Sequence, residues 1–202
     1  MKNNKPYDMI MSDDKIRHNI VTLTITKMTD FQCALLHETA HIIVNMKVIL
    51  MIKYVPEDTS VVFLEIPDEI CCAINISNCP HRCDGCHSQY LRKDIGDELN
   101  KDVIDRLLNK HNGITCMLFM GGDADKDGLA KLADYVRSNN VKSAWYSGED
   151  TLDLDYYKQH YDYIKVGSYK REFGPLDKRT TNQRLYMITD NSIDDITYKF
   201  WK

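Results

Sequence analysis

The sequence predicts an α/β fold built on a parallel sheet with helices on the outside. Short β-branched or apolar runs alternate with amphipathic helical segments between residues 61 and 166. A helix between successive strands is the connection that parallel pairing needs. The run 114–120 is almost wholly apolar, as expected of a strand covered on both faces.

Val61-Val62-Phe63-Leu64-Glu65-Ile66 and residues 70–76 read as two strands separated by Pro67-Asp68. Residues 97–111 read as a helix, with Leu99, Val103, Ile104, Leu107 and Leu108 on one face and Gly113 just past its end. The strand 114–120 follows. Residues 124–139 form the next helix, placing Leu129, Leu132, Ala133 and Val136 at i, i+3, i+4 and i+7. Strands at 142–146 and 163–166 flank a short helix around 152–160. The chain after Asn182 carries no clear pattern.

At 202 residues the chain suits one domain, and 43% hydrophobic with 28% charged residues allows a real core. A net charge of −4 argues against nucleic acid or an anionic membrane as partner. The most apolar stretch, 42–54, is interrupted by Asn45, Lys47 and Lys53, and the polar start lacks the apolar core of a secretory signal. The expectation is a cytoplasmic protein.

Six of the nine methionines lie at or before Met51, and no glycine precedes Gly85. The expected organisation is an extension over 1–45, dispensable or the product of a mis-assigned start, and a functional domain over 46–202. Within the extension, His37-Glu38-Thr39-Ala40-His41 matches the H-E-x-x-H pattern of zinc metalloproteases. A catalytic zinc needs a third protein ligand, and the strands that follow supply no second helix to carry it, so the match is taken as chance.

Seven cysteines, an odd number, point to metal rather than to a disulfide framework. Cys33 carries no signal, while Cys71, Cys72 and Cys116 fall in predicted strands and read as small buried hydrophobes. The other three form Cys79-Pro80-His81-Arg82-Cys83-Asp84-Gly85-Cys86-His87, a C-x3-C-x2-C spacing directly after a strand. Thiolates select zinc, copper(I) or iron–sulfur clusters. A structural zinc would take His81 or His87 as its fourth ligand. A [4Fe–4S] cluster on three thiolates would keep one iron open.

Met120-Gly121-Gly122-Asp123 follows the next strand, and Tyr146-Ser147-Gly148 the one after. Paired glycines let a ligand approach the backbone. Asp123 can accept from a ligand ammonium or cap the helix near Asp125. Ser147 and Lys165 lie at strand ends where a ribose or carboxylate could be held, or where they serve structure alone. In parallel α/β architectures such strand ends assemble the site.

These residues resemble the radical S-adenosylmethionine superfamily. The loop Cys79–His87 is similar to the cluster loop of the activating proteins of anaerobic ribonucleoside-triphosphate reductase. Trp145-Tyr146-Ser147-Gly148, Tyr163-Ile164-Lys165-Val166-Gly167 and Thr180-Thr181-Asn182-Gln183-Arg184 agree with that narrower resemblance, as does Gly85, where many superfamily members carry an aromatic residue. The likeness spans 46–202.

The resemblance implies a [4Fe–4S] cluster on Cys79, Cys83 and Cys86, and S-adenosyl-L-methionine chelating the fourth iron. Gly121, Gly122 and Asp123 would fix its ammonium and methionyl part, with Gly85, Cys86 and His87 beside the adenine. The implied activity is generation of a glycyl radical on anaerobic ribonucleoside-triphosphate reductase, fed by a one-electron donor such as flavodoxin or ferredoxin. The implied fold is an open partial (β/α) barrel, since 157 residues fall short of the ~250 typical of a closed one. The alternatives are an activase of another glycyl-radical enzyme, such as pyruvate formate-lyase, or a non-catalytic zinc-binding module.

Overall fold

The structure is a computed structural model and describes residues 51–201; the extension 1–45 and its H-E-x-x-H match at 37–41 lie outside them. In chain order the elements are β1 (Lys53–Tyr54), β2 (Ser60–Val62), β3 (Cys71–Asn75), β4 (Asp97–Glu98), α1 (Lys101–Lys110), β5 (Cys116–Met120), α2 (Lys126–Ser138), β6 (Lys142–Tyr146), α3 (Leu154–Tyr157), β7 (Tyr163–Val166), β8 (Arg184–Ile188) and β9 (Ile193–Asp195).

The main sheet runs in the order β2-β3-β5-β6-β7-β8-β9. Its four middle strands, β3, β5, β6 and β7, are parallel, and β2, β8 and β9 join antiparallel at the two sides. β1 pairs with β4 in a separate two-stranded sheet.

Register follows from burial on both faces. Ile74, Phe119, Trp145 and Ile164 stand at one level across the four parallel strands. They pack with Val103, Ile104 and Leu107 of α1 and Leu129, Ala133 and Val136 of α2. One residue earlier, Ala73, Leu118, Ala144 and Tyr163 form a row on the opposite face, covered by Ile66, Leu185 and Ile196. All three helices, α3 through Tyr157, therefore pack against one face, and irregular chain and strand residues cover the other.

Trp145 is fully buried and stacks on Tyr161 with ring centroids 5.4 Å apart. Burying such side chains contributes about 1.5–3 kcal/mol each, which makes this face the main source of cohesion. Each helix starts at a capped residue. Asn100 accepts from the Val103 N–H (3.1 Å), and Asp125 accepts from the Gly128 N–H (3.1 Å).

Several expectations need correction. The helix expected over 97–111 begins only at Lys101, because the Asn100 cap sets its start and Asp97–Glu98 is drawn into pairing with β1. The strand expected over 61–66 ends at Val62, where the chain bends to bring Ile66 under the sheet. The unpatterned tail supplies two antiparallel strands, so the parallel series stops at β7. No closed barrel forms among the described residues: the sheet is open, with β2 and β9 at its edges. No described helix is long and apolar enough to cross a membrane.

At the end of the sheet where the parallel strands begin, Glu69 is 7% exposed. Its carboxylate accepts from Thr115 Oγ1 (2.5 Å), Lys142 Nζ (2.5 Å) and Tyr163 Oη (2.7 Å), joining the starts of β5, β6 and β7. Burial opposes ionisation of Glu69, but the bonds from Lys142, Thr115 and Tyr163 outweigh it and hold the carboxyl below its usual value of 4.5. A carboxyl depressed on folding contributes stability above its unfolded value and loses it as pH falls through the folded one. Glu69→Gln is expected to cost about 2 kcal/mol at neutral pH, by loss of charged hydrogen bonds. Urea unfolding should show the gap between wild type and variant closing as pH drops below 4.5.

Candidate iron–sulfur centre

The last level shared by the parallel strands is Asn75, Met120, Tyr146 and Lys165. Each loop beyond it carries part of the site. After β3, the Ile76 N–H still donates to Met120 O (3.0 Å), and then the chain leaves the sheet. The cysteine loop is closed at its neck, where the Asn78 N–H donates to Lys93 O (3.2 Å) and the Cys79 N–H to Leu91 O (2.9 Å). Inside the loop the Cys86 N–H donates to Cys83 O (3.3 Å). Gly85 between them has φ +75, the left-handed conformation that glycine takes at least cost. Arg92 reaches back from the neck, Nε donating to His81 O (3.1 Å) and Nη2 to Cys83 O (3.2 Å).

After β5, Gly121 and Gly122 turn the chain with φ +99 and +94. The bend is held from β6: the Gly121 N–H donates to Tyr146 O (3.0 Å), and the Trp145 indole N–H donates to Gly121 O (2.9 Å). This directs the Asp123 carboxylate toward the end of β6. Oδ1 accepts from Ser147 Oγ (2.5 Å) and Oδ2 from the Gly148 N–H (3.1 Å). The helix cap is Asp125, so Asp123 is left for the site.

His81 Nε2 lies 3.3 Å from Asp123 Oδ2, off the line of a hydrogen bond. Its ring lies against Gly148, where an added Cβ would come within 2.5 Å of His81 Cδ2. His81, Asp123 and Glu149 bring ligand atoms within 4.8 Å of one another, but Lys126 Nζ already pairs with Glu149 Oε1 at 2.5 Å.

These loops enclose a cavity of about 470 Å³. Cys79, Cys83, Gly85, Cys86, His87, Gly121 and Asp123 all line it. Gly122 does not; it faces α2, where a Cβ would meet Leu129 Cδ2 at 2.7 Å. The other described cysteines, Cys71, Cys72 and Cys116, are buried in β3 and β5, away from the lining. Burial pushes the Cys79 thiol up, and the fields of Asp123, Cys83 and Cys86 add to it. Three free cysteines lining one cavity, with no fourth described cysteine among its lining, suit a [4Fe–4S] cluster with one iron left for a ligand from outside the chain.

Lys165 stands at the end of β7, 8% exposed, and lines the same cavity. Burial pulls its ammonium down to about 8, against the opposing fields of Asp123 and Cys83. The remaining wall is the loop between β7 and β8, which adds Tyr169, Pro175 and Leu176. The Asn182 amide donates to Ser168 O (2.8 Å) and the Gln183 amide to Gly167 O (3.2 Å), tying the two ends of this loop together. Sequence spacing gave no sign of Arg92, six residues past Cys86, or of the bond between Ser147 and Asp123. A signal for the latter existed only in the coincidence of two strand ends.

Gly122→Ala places a side chain at positive φ and against Leu129, and is expected to cost about 1–3 kcal/mol. Thermal unfolding of the apo-protein measures this; an unchanged midpoint would show that the bend relaxes freely.

A family model described as a 4Fe-4S single cluster domain matches residues 70–187, from the residue before β3 into β8. No curated protein and no solved structure matches the chain. The matched span holds all three cavity cysteines and every strand end that faces them. With its donor set in agreement, the chain belongs to the 4Fe-4S single cluster domain family.

Proposed function

We propose that this protein is a radical S-adenosylmethionine activating enzyme that generates a glycyl radical on anaerobic ribonucleoside-triphosphate reductase. The observation that carries the reading is the convergence of Cys79, Cys83 and Cys86 with Gly121, Asp123 and Lys165 on one cavity at the ends of adjacent parallel strands. A zinc module would give the last three no task.

When bound, the cluster would supply one-electron reduction of S-adenosylmethionine, and the pair together would supply hydrogen-atom abstraction from a glycine α-carbon of the reductase. The chain's own residues bind and orient. Cys79, Cys83 and Cys86 hold three irons. Asp123, aimed by Ser147 and Gly148, accepts from the ligand ammonium with its remaining lone pairs. Lys165, cationic and desolvated, faces the ligand carboxylate. Gly121 lets the methionyl part approach the backbone, and the main chain of Gly85, Cys86 and His87 runs beside the adenine. Leu91, Met120 and Leu176 supply apolar lining that excludes water from the cavity. A soluble one-electron donor such as flavodoxin or ferredoxin would feed the cluster.

The test is anaerobic reconstitution with iron and sulfide, then dithionite and S-adenosylmethionine in the presence of the reductase. About four irons per chain, release of 5′-deoxyadenosine and a glycyl doublet in electron paramagnetic resonance are expected. Tight stoichiometric zinc with no cleavage would overturn the reading. A doublet only with pyruvate formate-lyase would move the activity to that partner. Cys83→Ala is expected to abolish 5′-deoxyadenosine release while leaving the apo-fold intact by circular dichroism.

Lys165→Met should weaken S-adenosylmethionine binding to the reconstituted protein tenfold or more, about 1.4 kcal/mol, as for loss of a charge-assisted bond. Equilibrium dialysis measures it, and unchanged affinity would remove Lys165 from the ligand site.

A further inference from the structure

One side chain from the neck reaches back across the cluster loop: Arg92. The neck itself is fastened by two main-chain bonds, and Ser77 Oγ adds a third tie by donating to Ile95 O (2.7 Å). None of these reaches past Cys79. Between Cys79 and Cys86 the loop has the Cys86 N–H to Cys83 O bond, His81 packed on Gly148 and an exposed Asp84–Arg171 pair at 3.8 Å, none of which fixes the carbonyls of His81 and Cys83 to the neck. Arg92 does. Its guanidinium fork takes the carbonyls of His81 and Cys83 together, at 3.1 and 3.2 Å, so the residues on either side of Arg82 are fixed to one rigid plane. Arg92 is half-buried and lines the cavity that holds the cysteines.

We propose that Arg92 is the positioning residue of the iron–sulfur centre. It presets the cysteine loop for the cluster and stations a permanent cation on the lining of the cysteine cavity. Both of its hydrogen bonds end on neutral carbonyls, so they leave its charge uncompensated. Reduction adds an electron to a centre that already carries three thiolates, and a nearby fixed cation favours the more negative state. Arg92 therefore holds the reduction potential up. Lys at this position would keep the charge but lose the fork, since one ammonium cannot match two carbonyls with planar geometry. Gln would lose both. The inference rests on the cluster alone and stands whether or not S-adenosylmethionine is the second ligand.

The test uses the full-length protein, reconstituted anaerobically without S-adenosylmethionine, as wild type, Arg92→Lys and Arg92→Gln. Iron and sulfide per chain are measured after desalting, midpoint potential by a redox titration followed by electron paramagnetic resonance, and apo-fold by circular dichroism and melting. Both variants are expected to melt like wild type as apo-proteins and to retain at most half of the wild-type iron. The cluster remaining in Arg92→Gln should titrate at a lower potential than wild type, and that in Arg92→Lys close to it. Wild-type iron content and potential in both variants would overturn the proposal. So would an apo-form of Arg92→Lys that fails to fold, which would make Arg92 a residue of the fold alone. A wild-type chain that takes up no iron would instead overturn the cluster itself, a result distinct from either.

Discussion

The parallel pairing of β3, β5, β6 and β7 is the constraint from which the rest of the site follows. Parallel strands end on the same side of a sheet, and here four of them share a last level at Asn75, Met120, Tyr146 and Lys165. The cysteine loop, the double-glycine bend, Ser147-Gly148 and the loop after β7 each begin within four residues of that level. A register slip of one residue would carry Ile74, Phe119, Trp145 and Ile164 to the face that holds Ala73, Leu118, Ala144 and Tyr163. The two rows differ so much in volume that neither face could accept the other's side chains. Core packing thus fixes the strand ends, and the site inherits its geometry from it.

Two buried carboxylates show how one sheet separates structure from chemistry. Glu69, where the parallel strands begin, is compensated by the Lys142 ammonium and saturated by two hydroxyls. It has no reason to attract a ligand. Asp123, at the other end, has a side chain only 1% exposed and takes its hydrogen bonds from a hydroxyl and a main-chain N–H, both neutral. Those two donors orient its negative charge without neutralising it, and His81 Nε2 stands 3.3 Å away, outside hydrogen-bond geometry. Lys165 is the mirror case: a buried ammonium that donates to Gly167 O only at 3.4 Å and otherwise lies over the Tyr146 ring, 5.2 Å from its centroid. Desolvated charges held by neutral partners are costly in an empty cavity and become favourable when a ligand brings the complementary charge.

The sequence made the parts of the site legible but not their coupling. The cysteine spacing, the paired glycines and the apolar strand before them were readable because each is a local pattern with a local cause. The strands at 142–146 and 163–166 match β6 and β7 because their apolar runs have clear ends. What stayed hidden depends on distant partners. Asp123 reads equally as a cap or as a ligand residue in sequence, and only the Asp125 cap and the bond from Ser147 Oγ (2.5 Å) separate the two. Asp97–Glu98 looks helical until β1 claims it, and β8 and β9 lack strong alternation: β8 is buried only at Leu185 and Ile188, and the edge strand β9 carries two exposed aspartates. The residues 1–45 lie outside the described chain, so their expected status as an extension stands as a proposal.

The antiparallel return of β8 decides how the cavity is walled. Had the parallel series continued, another strand and helix would have enclosed the site. Instead β7 hands the chain to a loop of seventeen residues, 167–183, which comes back beside its own start. Such a loop cannot be positioned by a sheet ladder, so its ends must be fastened by side chains. The Asn182 and Gln183 amides do this by donating to the carbonyls of Ser168 and Gly167. Thr180 Oγ1 then ties back to Phe173 O (2.7 Å), which sets the loop's middle turn. The Thr180-Thr181-Asn182-Gln183 run thereby acquires a physical role that does not require contact with a ligand: it replaces the missing strand as the support for Tyr169, Pro175 and Leu176 on the cavity wall. The wall is thus held at its base by amides, while Phe173 between those ties stays 39% exposed and off the cavity lining.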